Sequence, residues 1–129
     1  MKIIALLSAV LLSGCAAINT VQSWIPSFWD DNQSARIIDV RQQIDRIDCG
    51  LPQQAQAQSI LRDLEWFELY SQSKGRRQQD VQRIIEPIQE TAKEWSARGD
   101  SGSRVYCEIK KRILTEQAAR AATAILGRY

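Results

Sequence analysis

The chain has no histidine. That removes the Ser-His and Cys-His nucleophile systems, imidazole general bases and histidine metal ligands. Only three cysteines are present, too few for a thiolate zinc site once any two are paired. Charge of one sign is also missing: 17 basic side chains face 15 acidic ones, so composition gives no argument for nucleic acid. No glycine-rich phosphate loop follows a strand, no stretch alternates like a strand, and no internal repeat is visible. Three prolines and six glycines leave few breaks in 129 residues. Long apolar runs are absent too. The longest, Ile3 to Leu12 with only Ser8 polar, falls well short of the roughly 20 residues a spanning helix needs.

That run follows the positive Met1-Lys2 and has the dimensions of a signal-peptide core. It closes on Leu12-Ser13-Gly14-Cys15, an aliphatic residue, two small ones and a cysteine. The segment resembles the lipobox of bacterial lipoproteins. The resemblance implies export, cleavage before Cys15 and acylation of Cys15, which becomes the mature N-terminus. The alternative is an ordinary secretory leader with Cys15 incidental. Ala16, not Asp, follows the cysteine, and the enteric-type sorting rule that comes with the resemblance implies the outer membrane, facing the periplasm. In a Gram-positive host the anchor would sit in the single plasma membrane. Two chains on the glycerol and one on the amine suffice for stable anchoring, which one chain alone does not give.

The expected organisation is a signal peptide over 1–14, a lipidated tether over 15–33 and a helical domain over 34–129. Losing Lys2 with the leader leaves 16 basic against 15 acidic side chains. The mature length of 115 residues suits one small domain. Once Cys15 is assigned to lipid, Cys49 and Cys107 remain as a pair, and export permits a disulfide between them. The loop it closes holds about 59 residues, for which the chain-entropy model gives roughly 4 kcal/mol. Two buried free thiols are the other reading.

Within the tether, Trp24, Phe28 and Trp29 crowd aromatics near the anchor. They suit a place at the lipid headgroups, and equally a fold-back of Phe28 and Trp29 onto the domain core. The rest reads as four helices. Helix 1 covers about 32–48, capped by Asp31 or Ser34, with Ile37, Val40, Ile44 and Ile47 on one face. Helix 2 covers about 53–73, with Ile60, Leu61, Leu64, Phe67 and Tyr70 as its stripe and Lys74-Gly75 as its stop. Helix 3 covers about 77–97, with Val81, Ile84, Ile85, Ile88, Ala92 and Trp95 inward; Pro87 either kinks it or begins a new helix. Helix 4 runs from Ser103 to about 126, lined by Val105, Ile109, Ile113, Leu114, Ala118, Ala121, Ala122, Ile125 and Leu126. Its alanines suit close helix approach. The fold class expected is all-α, an antiparallel bundle of about four helices. In that topology helix 1 ends at the pole where helix 4 begins, which brings Cys49 to Cys107.

Candidate chemistry is thin. Asp63, Glu65 and Glu68 cluster on helix 2, and Glu86, Glu90 and Glu94 on helix 3. The second set is spaced by four and so shares one solvated face, unlike the two carboxylates across a cleft that glycoside hydrolysis needs. Trp66, Phe67 and Tyr70 read as core before groove. Lys110-Lys111-Arg112 and Arg76-Arg77 read as solvated faces before an anionic-lipid contact. Arg98-Gly99-Asp100 matches an integrin-binding triplet but reads as a turn.

No metal and no cofactor is expected. The architecture is similar to small helical pilotin lipoproteins, which chaperone secretin subunits to the outer membrane; only Cys15 and, loosely, the cysteine pair carry that similarity. It implies a non-catalytic binding module that takes an envelope protein partner, with a helix in a groove as the mode. A phage- or plasmid-type envelope exclusion lipoprotein is the alternative, and a cell-wall hydrolase a more distant one.

Overall fold

The structure is a computed structural model and describes residues 30–75 and 78–128. The tether aromatics, Cys15 and the Arg76-Arg77 pair lie outside those residues. Four helices make up the described chain: α1 (Asp31–Asp45), α2 (Gln53–Ser73), α3 (Gln79–Ala97) and α4 (Arg104–Leu126), with a single 3₁₀ turn at Gly99–Ser101 before α4. Each connection is short, so successive helices run antiparallel. Around the bundle α1 packs on α4, α4 on α3, and α3 on α2, while the α1–α2 seam is the slightest. The all-α bundle read from the sequence is the fold observed.

The cores of α1 and α2 follow the expected periodicity. Ile37, Val40 and Ile44 are buried on α1, and Ala57, Ile60, Leu64 and Phe67 on α2. Val81, Ile85, Ile88, Ala92 and Trp95 face them from α3, with Leu114, Ala118, Ala121, Ala122 and Ile125 from α4. α3 runs unbroken through Pro87, which settles the choice between a kinked helix and two.

The start of α1 differs from expectation. Neither Asp31 nor Ser34 caps it; Asp30 does, accepting from the Gln33 N–H at 3.1 Å. Asp30 is held for that task by the Tyr70 hydroxyl, which donates to it at 3.0 Å, and by the Lys74 ammonium at 3.8 Å. The end differs too: α1 stops at Asp45, short of 48. Asp48 accepts from the Gly50 N–H at 2.8 Å, folding 48–50 into a tight turn. Gln56 fastens the turn by accepting from Asp48 N–H and donating to Asp48 O. Lys111 then donates to the Ile47 carbonyl at 2.9 Å, just past the helix end.

This turn delivers Cys49 to Cys107, and the two form the disulfide across 5.7 Å between Cα atoms. The bond also corrects the reading of α4. Cys107 is fully buried, whereas Val105 and Ile109, expected to line the core, are 68% and 41% exposed. Residues two positions apart on a helix point about 200° apart, so drawing Cys107 inward turns its neighbours at 105 and 109 outward.

α2 has no side-chain cap of its own at Pro52. Asp100 supplies one from the distant 3₁₀ turn, accepting from the Gln54 N–H at 2.9 Å. The Arg98-Gly99-Asp100 triplet is thus a structural turn, its glycine in the left-handed region at φ 65°. α2 ends at Lys74 with Gly75 at φ 84°, the expected stop.

Candidate functional site

The sequence-nominated groups are mostly tied up in structure. Asp63 pairs with Arg36 at 3.1 Å and accepts from Gln43. Arg36 also lies over the Trp66 ring, 4.9 Å from its centroid, and Trp66 stacks on Tyr70 at 4.6 Å. These side chains close the α1–α2 seam, with Trp66 and Tyr70 half-buried in it, and Phe67 is core. Glu86, Glu90 and Glu94 are all exposed, as their spacing implies. Glu65, Glu68, Glu86 and Glu90 line the same shallow cleft between α2 and α3 with Lys93 at its edge, a polar depression of about 260 Å³. It continues into a wider polar one of about 410 Å³ that includes Gln82, Arg83 and Gln89.

The basic run on α4 is not one surface. Lys110 is buried, its ammonium 2.6 Å from Glu94 and over the Tyr106 ring, while Lys111 serves Ile47. Only Arg112 of the three is exposed to a partner. Among the described residues no cluster of acidic, cysteine or histidine side chains is placed to hold a metal ion, and no described helix is long and apolar enough to cross a membrane.

One surface has a different character. Between α3 and α4 an open groove of about 340 Å³ is walled by Ile84 and Pro87 on one side and Gln117, Arg120, Ala121 and Ala124 on the other. It arises from residue size. α4 meets Ile84 and Pro87 with alanines, which cannot fill the space a leucine would, so the helices leave a furrow. Ala118, Ala121 and Ala122 pack inward, and Ala121 and Ala124 line the furrow. Pro87 has no N–H and cannot close the Arg83 carbonyl's bond, which leaves α3 locally weaker beside the groove. The buried Gln117 Oε1 has no hydrogen-bond partner among the described residues, so the wall also holds an unserved acceptor.

Charged contacts stand at both poles of α4. Toward the disulfide pole stand the Glu94–Lys110 pair and Arg98, 4.3 Å over the Tyr106 ring. Toward the other pole stands Arg128, whose Nη2 donates to Gln33 Oε1 at 2.9 Å. Burial lowers the Arg128 pKa, and the nearby Asp80 and Asp30 offset only part of that fall. Gln33 is itself fully buried, donating to Ser71 Oγ at 3.3 Å and Gln78 Oε1 at 3.1 Å. These contacts tie α4 to the α3 end at the disulfide pole and to α1 at the other.

Nothing in the sequence singled out Ile84, Gln117, Arg120 and Ala124 as a site. The available signal was a proline in mid-helix and an alanine run on another helix, which point to a groove only when the two are known to be adjacent. No family model, curated protein or solved structure matches the chain. The functional reading rests on its own residues.

Proposed function

We propose that the protein is a lipid-anchored envelope protein, held through Cys15 on the periplasmic face of the outer membrane, and that it binds another protein in the α3–α4 groove without catalysis of its own. The resemblance of Leu12-Ser13-Gly14-Cys15 to a lipobox supports the location. The observation that carries the binding role is the groove: open, apolar along Ile84, Pro87, Ala121 and Ala124, and edged by the single charge of Arg120. An amphipathic helix is the partner that suits it, its apolar anchors in the furrow and an acidic residue toward Arg120.

Two measurements test this. Intact mass of the membrane-extracted protein should show a chain beginning at Cys15 with acyl mass added; an unlipidated product overturns the location. A photo-crosslinking residue at Ala124 of the full chain, in native envelopes, should give one discrete protein adduct, and the same residue at exposed Gln72 on α2 should not. Absence of an Ala124 adduct, or equal adducts at both positions, overturns the groove as the binding site.

A further inference from the structure

Val105 and Ile109 are large apolar residues left in water at the start of α4, and Ile113, one turn on, is only half-buried. Spaced by four, the three form a ridge on the side of α4 away from Cys107. Beside it runs a second row with the same spacing: Arg104, Glu108, Arg112 and Glu116, all exposed and alternating in sign. Arg104 and Glu108 lie 4.0 Å apart with their side chains 79% and 56% exposed, so this row faces solvent.

We propose that this face of α4 is where two copies of the chain pair, α4 against α4, antiparallel about a two-fold axis level with residue 110. The charge order selects the partner. In an antiparallel pair related by a two-fold axis, the same flank of each helix meets its counterpart in reverse. Arg104 then faces the partner's Glu116, and Glu108 faces the partner's Arg112, so symmetry yields four opposite-sign pairs. In that register the ridges also meet, displaced by about 3 Å along the helix: Ile109 beside the partner's Ile109, and Val105 beside the partner's Ile113. A parallel pair sets arginine on arginine and glutamate on glutamate. An antiparallel pair slipped by one turn does so as well. The row therefore specifies both orientation and register, as flanking charges do in paired helices. A helix from another protein would need this same reversed order, which a second copy supplies automatically.

The contact is modest. Residues 104–116 cover about 18 Å of helix, and a single helix-on-helix contact falls short of the roughly 1,200 Å² of specific stable interfaces. The pairing is reversible on dilution. It occupies the N-terminal half of α4 and goes beyond the groove, which lies on the C-terminal half.

The experiment uses the full chain in mild detergent, with every substitution at an exposed position and the helical content checked by circular dichroism. Ile109→Cys sits beside the axis and should yield a disulfide-linked dimer under mild oxidation. Thr123→Cys, exposed further along α4, should not. Arg112→Glu replaces two attractions by two repulsions and should raise the dissociation constant on the order of tenfold. The exchange Glu108→Arg with Arg112→Glu should restore it, because each position again meets the opposite sign. Equal cross-linking at 109 and 123, which is what shared micelles alone would give, overturns the proposal. So does a monomer at every concentration, or a charge exchange no better than Arg112→Glu alone.

Discussion

Gln53 shows how much one residue holds at the disulfide pole. It is 5% exposed and opens α2, yet it serves two other segments, α3 and the connection into α4. Its Oε1 accepts from the buried Trp95 indole at 3.0 Å, and its Nε2 donates to the Gly102 carbonyl at 2.8 Å and the Ser103 carbonyl at 3.3 Å. Gly102 is small for the same reason, since a Cβ there would lie 2.8 Å from Gln53 Oε1 and 2.9 Å from the Tyr106 ring. Gln53→Leu keeps the volume and strands the indole N–H, which alone costs roughly 1–3 kcal/mol. The urea midpoint should fall accordingly with an unchanged slope; a loss under about 0.5 kcal/mol would mean that Trp95 finds another acceptor. In the sequence Gln53 was one of several glutamines in a low-apolar helix start, and nothing local separates it from Gln54. Asp30 and Lys110 are similar cases. The sequence puts the cap at Asp31 or Ser34 and Lys110 on a solvated face, because the tasks of Asp30 and Lys110 depend on Tyr70 and Glu94, 40 and 16 residues away.

At the scale of the element, α3 carries a cost that its surroundings accept. Pro87 sits in mid-helix with its ring exposed beside the groove. An interior proline disfavours a helix by about 3 kcal/mol relative to alanine, through the missing bond to the carbonyl four residues back and the clash of its ring with that carbonyl. Pro87→Ala should therefore raise stability by about 1–3 kcal/mol, read as a higher urea midpoint. The same change strips one wall of the groove, so the Ala124 adduct should weaken while the fold strengthens. Gain in stability with an undiminished adduct would separate Pro87 from binding. The helix boundaries themselves were largely legible: α2 falls where Pro52 and Lys74-Gly75 place it, and Ser103 caps α4 by accepting from the Tyr106 N–H at 3.1 Å. The rotation of α4 was not. Its first half offers two apolar ridges, one through Val105, Ile109 and Ile113 and one through Cys107 and Leu114. Periodicity alone accepts both, and the bond to Cys49 selects the second.

That bond makes the two poles of the whole molecule unlike. One pole is joined by a polar network, with Gln33 fully buried between Ser71, Gln78 and Arg128. The other is joined covalently, α1 to α4, across a sequence separation of 58. The up-and-down order was legible because the short connections and the cysteine pair each demand it. The energetic consequence follows from chain entropy. Closing a loop of that length lowers the unfolded state's freedom by roughly 4 kcal/mol, out of the 5–15 kcal/mol typical of a small domain. Replacing Cys49 and Cys107 together by Ser should lower Tm by about 15 °C or more, and reduction of the wild-type chain should do the same. A second effect is specific to this architecture. With Cys107 released, the first turns of α4 can rotate and bury Val105 and Ile109, the residues that an apolar core attracts most. Self-association through Ile109 should then fall below the detection limit at temperatures where the double variant is still folded. If the double variant loses stability but pairs as tightly as the parent, the bond strengthens the bundle without setting the rotation of α4, and the outward ridge has another cause.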